Sequence, residues 1–208
     1  VQEILKQMKD LANNSTSTAG ASASNLSRLQ PDVISLTTLA TAWTKSRNPH
    51  AATKAEAVLE YMEQQSMDMQ PTTVLYNVVL NALARSSLLD KAQKAEKLVA
   101  RMQDRCALVQ FNGNEDDDLQ LLYACCEPSI YTYQSPISCY SRSSQSPERA
   151  EQVLSFLKRQ AADHGRNDLE PNTHCFAAAI HAWAYSMQPN KAKRAYDLLQ
   201  EIRQRHER

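Results

Sequence analysis

The chain has 208 residues, 42% of them apolar, and Lys plus Arg balances Asp plus Glu at 23 each. That is enough apolar content for a sizeable core, and it excludes the strongly basic field that marks many nucleic-acid binders, so any such contact must rest on local charge. With only three glycines, Gly20, Gly113 and Gly165, and many Ala, Leu, Gln, Glu and Lys, the composition disfavours a turn-dense β fold and points to an all-α architecture. The five cysteines, Cys106, Cys125, Cys126, Cys139 and Cys175, show no CxxC spacing. Their odd number argues for a reducing compartment rather than a disulfide framework. No stretch approaches the roughly 18 apolar residues of a membrane span.

The chain opens on "VQEILKQM", already inside a helical pattern, so residues 1–12 read as the second helix of a truncated repeat and a targeting signal would precede Val1. A polar stretch, "DLANNSTSTAGASASNLSRLQ", follows. Four segments of sixteen residues then recur, each opened by a proline and closed by a serine: "PDVISLTTLATAWTKS" from Pro31, "PTTVLYNVVLNALARS" from Pro71, "PSIYTYQSPISCYSRS" from Pro128 and "PNTHCFAAAIHAWAYS" from Pro171. Proline followed by Asp, Thr, Ser or Asn is a helix start, because the first turn does not need the missing donor and the short polar side chain can cap. Leu36, Tyr76, Tyr133 and Phe176 share one position, and Trp43, Leu83, Tyr140 and Trp183 another two turns on, as a packing ridge. Ala42, Ala82, Cys139 and Ala182 stay small where a second helix would cross. Pro136 inside the third segment is expected to kink its helix, at about 3 kcal/mol.

Each segment is followed by a second helical run: "AEAVLEYM" from Ala55, "AEKLVARM" from Ala95, "AEQVLSFL" from Ala150 and "AYDLLQEI" from Ala195. Closing serine and opening alanine are nine, nine, seven and nine residues apart, so the turn inside each hairpin is nearly constant. The spacing between the prolines is 40, 57 and 43 residues, and nearly all of that variation falls after the second helix. A rigid hairpin with tolerant junctions is the mark of stacked repeats. The predicted fold is therefore an α-solenoid, a single array over 1–208 with repeats at 31–66, 71–106, 128–162 and 171–208. Long inserts separate them, including an acidic one at 107–127 that carries Glu115 to Asp118.

On a helical wheel each first helix keeps one row polar, opposite the ridge of Tyr76, Val79, Leu80 and Leu83. The row is Thr37, Thr41, Lys45 in the first repeat, Asn77, Asn81, Arg85 in the second, Gln134, Ser138, Arg142 in the third and Ala177, His181, Tyr185 in the last. Side by side in a solenoid these rows form a ladder.

Four in-phase segments resemble the pentatricopeptide repeat family, whose first helix reads like "VTYNTLI" after Pro-Asp and whose second reads like "EALELFEEM"; "PTTVLYNVVLNALARS" with "AEKLVARM" is close to that pattern. The tetratricopeptide pattern fits worse, since its proline closes the second helix. The resemblance implies a right-handed superhelix that binds single-stranded RNA in a mitochondrion or plastid, acts in RNA processing, stability, editing or translation, and keeps company with other organellar RNA-processing proteins. It implies one base per repeat, read by a polar residue one turn into the first helix with the residue after the next opening proline. Carried over, Thr37 pairs with Thr72, Asn77 with Ser129 and Gln134 with Asn172, while Ala177 and Asp32 pair with residues beyond either end. Asn77 with Ser129 then reads a pyrimidine and Thr37 leans to a purine. Ile34, Val74, Tyr131 and His174 would flank and stack on the bases. Lys45, Arg85 and Arg142, two turns on, are placed for phosphate.

Other readings compete residue by residue. A polar row is the ordinary wet face of a surface helix, and a protein-binding scaffold without RNA contact suits the zero net charge. Adjacent Cys125 and Cys126 lack a second pair for a tetrahedral metal site, His174 and His181 lie seven apart where helical ligands want four, and the acidic run lacks the glycine and glutamate of a calcium loop. No metal or cofactor is predicted. Neither a nucleophile with its base nor a P-loop is visible, so no enzyme is predicted within these residues, although a nuclease or editing domain beyond them would make the repeats a delivery device.

Overall fold

Each opening proline is followed, two residues on, by a helix. The computed structural model describes residues 31–46, 48–65, 69–111, 127–141, 146–163 and 165–206. The predicted half-repeat at 1–12, the acidic run Glu115 to Asp118, Cys125, Cys126 and Arg142 lie outside the described residues. The first helices are α1 (Val33–Lys45), α3 (Thr73–Arg85), α5 (Ile130–Ser141) and α7 (Thr173–Tyr185); the second helices are α2 (Ala51–Glu63), α4 (Lys91–Phe111), α6 (Pro147–Asp163) and α8 (Lys191–His206). A 3-10 turn, Asn167–Leu169, precedes α7, and no strand occurs among the described residues. The chain is an all-α repeat fold.

The residue after each proline starts its helix by capping. Asp32 Oδ1 accepts the Ser35 N–H at 2.7 Å, and Asn172 Oδ1 accepts the Cys175 N–H at 3.0 Å. Both satisfy a first-turn donor that the helix leaves open. The closing serines end three of the helices in one way: Ser46, Ser86 and Ser186 each donate their hydroxyl to the carbonyl three residues back, at 2.7, 2.8 and 2.8 Å. In two hairpins a lysine then reaches back over the turn, Lys91 Nζ donating to the Ser86 carbonyl at 3.2 Å and Lys191 Nζ to the Ser186 carbonyl at 3.3 Å. A cation there satisfies a terminal acceptor and complements the helix dipole.

The described helices belong to two compact units, divided between Pro71 and Thr72. In the first, α1 packs on α2 over Leu36, Ala40, Ala55, Val58, Leu59 and Met62, all buried. In the second, α3, α5 and α7 lie side by side, α5 against both neighbours, while α4, α6 and α8 pack behind them. Its core holds the predicted ridge: Tyr76, Val79, Leu80, Leu83, Tyr133, Tyr140, Phe176 and Trp183 are buried. Ala82, Cys139 and Ala182 are buried at the small positions, whereas Ala42 in the first unit is exposed.

One boundary differs from the simplest reading of the sequence. Helix α4 continues past Cys106 to Phe111, because nothing before Gly113 interrupts it with a glycine or proline. Helix α5 runs through Pro136 without a break. The proline ring is buried beside Val99, Tyr133 and Phe156 at a cavity of about 270 Å³, so apolar packing offsets the backbone bond it removes.

Candidate nucleic-acid interface

The side-by-side packing of α3, α5 and α7 gathers residues of equivalent register into one groove of about 500 Å³. Arg85 lines it from α3, Gln134 and Ser138 from α5, and His174, Ala177 and His181 from α7. Asn81 is exposed and lines it too.

The structure brings one expected reading pair together. Asn77, half-buried on α3, points its Nδ2 at Ser129 Oγ across 3.4 Å, and its Oδ1 accepts the hydroxyl of Thr132 at 2.8 Å. Thr132 is fully buried, and its Oγ1 in turn accepts the Ser129 backbone N–H at 3.0 Å. Three side chains from two repeats thus form one polar knot. Gln134 and Asn172, the next pair, are not hydrogen-bonded to each other, and the Asn172 oxygen is occupied in capping α7. Ala177, exposed, has no polar atom to offer a base.

Thr37 belongs to the first unit and Thr72, half-buried, to the second. The Thr37 hydroxyl donates to the Val33 carbonyl at 2.7 Å and Thr41 to that of Thr37 at 2.8 Å, so each proton stays on its own helix while the oxygen lone pairs remain acceptors. Asp32 is exposed, and the Ser35 hydroxyl, then the Ser35 amide, holds its carboxyl below the usual range. Its role within the described residues is that of a cap.

The residues expected to stack stand open to solvent: Ile34 is 74% exposed, Val74 61% and Tyr131 65%, with His174 also exposed. Ile34, Val74 and Tyr131 stand bare at one equivalent position of three successive first helices, and a recurring exposed apolar position is a place for a ligand to cover. Lys45 and Arg85 are exposed in the last turns of α1 and α3, where they also complement the helix dipoles.

One participant, Thr132, escapes inspection of the sequence, whereas His181 belongs to the predicted polar row. Thr132 occupies the slot held by Ser35, Leu75 and Cys175 in its siblings, and the only signal was a polar residue on a packing face. His181 gives Nδ1 to the Ser141 carbonyl at 2.9 Å, so in the neutral ring Nε2 is an acceptor, and its ring lies 4.4 Å from that of Tyr185. Burial pushes the Cys139 thiol up to about 12 and raises Cys175 as well, so these two behave as small apolar core residues. Among the described residues no group of His, Cys, Asp or Glu is placed to hold a metal, and no helix is long and apolar enough to cross a membrane.

No curated protein and no solved structure matches the chain. Residues 25–85 match the family model of the pentatricopeptide repeat domain. That match spans the first described hairpin and the first helix of the second, and the same helical hairpin recurs to His206, so this part of the chain is similar to a pentatricopeptide repeat domain.

Proposed function

We propose that this chain binds single-stranded RNA selectively, one base per repeat, and acts in organellar RNA processing, stability, editing or translation. The observation that carries the reading is the groove on α3, α5 and α7. Arg85, Gln134 and His174 line it, and on the same helices the Asn77–Ser129 pair joins α3 to the start of α5, with exposed Val74 one turn before Asn77 and exposed Tyr131 two residues after Ser129. Amide and hydroxyl groups match base edges, apolar and aromatic faces match base faces, and the cation matches phosphate. Family members are typically organellar, which supports a mitochondrion or plastid and other RNA-processing proteins there as partners. Asp32, Thr37, Thr72, Asn77, Ser129, Gln134, Asn172 and Ala177 are the proposed base-facing positions.

The test is retention of single-stranded RNA by the 208-residue chain across a salt series. Contact with three or four phosphates gives a log–log slope on the order of −2 to −3. A chain that retains no single-stranded RNA at low salt is not an RNA reader. That result would favour the second reading, a protein-binding scaffold, which the zero net charge supports.

A further inference from the structure

We propose that Thr132 is a positioning residue for base selection: its buried hydroxyl fixes which end of the Asn77 amide faces the RNA. The inference rests on the RNA-binding reading above and deepens it at one junction. The network begins at a group that can only donate. The Ser129 backbone N–H gives its proton to Thr132 Oγ1 at 3.0 Å, so one lone pair of that hydroxyl is taken. The Thr132 proton then goes to Asn77 Oδ1 at 2.8 Å. A chain of donors running N–H to O–H to C=O polarises in one direction and is stronger for it.

With Oδ1 held inward, Nδ2 is the end of the amide left at the surface. One of its hydrogens lies toward Ser129 Oγ at 3.4 Å, and the other is available to a ligand. The Ser129 Oγ also lies 3.4 Å from Thr132 Oγ1, whose own proton is spent on Asn77, so the Ser129 proton points back into the knot. The junction therefore presents the Nδ2 donor, and it selects a base edge that offers an acceptor there. Without the Thr132 hydroxyl the amide turns over at little cost, presents donor or acceptor alike, and discriminates poorly. Burial matters to this argument: Thr132 is 0% exposed, so water does not replace it as a partner for Oδ1. The slot explains why the other junction behaves differently. At α5–α7 the equivalent residue is Cys175, a buried and weakly donating thiol, and nothing comparable orients the Gln134 amide.

The experiment uses the 208-residue chain and a pool of single-stranded RNAs with randomised positions, sequencing the retained fraction. The position read by this junction is the one whose preference disappears in N77A. The expected result is that T132V flattens preference at that position by about threefold or more while total retention stays within about twofold, and that T132S, which keeps the hydroxyl, keeps the preference. If T132V melts below the assay temperature, T132A removes the same hydroxyl without adding a methyl and carries the same comparison. Preference that survives loss of the hydroxyl overturns the role of Thr132 and leaves RNA binding standing. Retention without any base preference in the unaltered chain does the same. No retention at all overturns both this inference and the function it rests on.

Discussion

The α3–α5 and α5–α7 junctions join the same kind of helix at the same register, yet only the first ties its reading residue into a hydrogen-bond network. The second is bonded further along, from His181 Nδ1 to the Ser141 carbonyl. At the first, Asn77, Ser129 and Thr132 form a knot whose central hydroxyl is fully buried. At the second, Asn172 turns its oxygen to the Cys175 N–H, and Cys175 and Phe176 are buried as apolar surface. The difference teaches that the repeat specifies packing volume, and that polar identity is added locally at single slots. One slot, threonine in one copy and cysteine in the next, decides whether the reading residue is held or left to turn.

The largest effect expected at these junctions is apolar. Phe176 is 2% exposed, with Lys158 Nζ 5.0 Å and the Arg205 guanidinium 5.5 Å from its ring centroid, so F176A removes a filled volume and should cost about 3–5 kcal/mol in denaturant melts. N77A should cost less, about 1–2 kcal/mol, because it leaves the Thr132 hydroxyl buried without its acceptor. Q134A, in a groove open to water, should stay within about 0.5 kcal/mol. Equal losses from N77A and Q134A would erase the contrast between the two junctions.

The two tryptophans extend the comparison to residues at one shared position. Trp183 Nε1 donates to Glu151 Oε2 on α6 at 3.0 Å, and the same carboxylate receives Arg194 at 2.5 Å. Trp43 Nε1 is buried and has no partner among the described residues. W183F should therefore lose about 1 kcal/mol more than W43F, because only the first breaks a charge-assisted bond to a largely buried carboxylate. On RNA, R85A should lower the salt slope by about one and weaken all sequences alike, whereas N77A should alter preference at one position. The same pattern from both variants would remove the division between phosphate and base contacts.

Much of this was legible in the sequence for physical reasons. Proline with a capping neighbour starts a helix whatever surrounds it, and an apolar stripe opposite a polar row must bury the stripe; hence the four first helices and the core of Tyr76, Leu83, Tyr133 and Phe176 follow from local rules. That Pro136 is itself part of the core was not legible, because propensity counts only the bond it removes while only tertiary packing shows its ring buried. The Asn77–Ser129 approach was foreseen through the family resemblance alone. Thr132 was missed because a hydrogen bond between residues 55 apart leaves no trace in any local pattern. Nor does spacing reveal that Asn172 uses its oxygen as a cap, since the same side chain suits both tasks.

The smallest effect separates two lysines that do the same thing in different surroundings. Lys91 and Lys191 each donate across a hairpin turn to the closing serine's carbonyl, at 3.2 and 3.3 Å, but Lys91 is 8% exposed and Lys191 lies open to solvent. Methionine keeps most of the aliphatic stem and removes the charge, so the substitution reads the bond and the dipole contact rather than the packing. Water competes for the exposed Lys191 ammonium and much less for that of Lys91, although Ser186 itself, at 1% exposed, is buried. K91M should therefore cost about 1 kcal/mol and K191M about 0.3 kcal/mol, and salt near 0.5 M should screen out the smaller loss first. Denaturant melts at two salt concentrations measure both. Should the exposed lysine prove the more costly to remove, burial would not be what distinguishes the two turns, and the hairpin ending in α8 would depend on its surface charge more than its neighbour does.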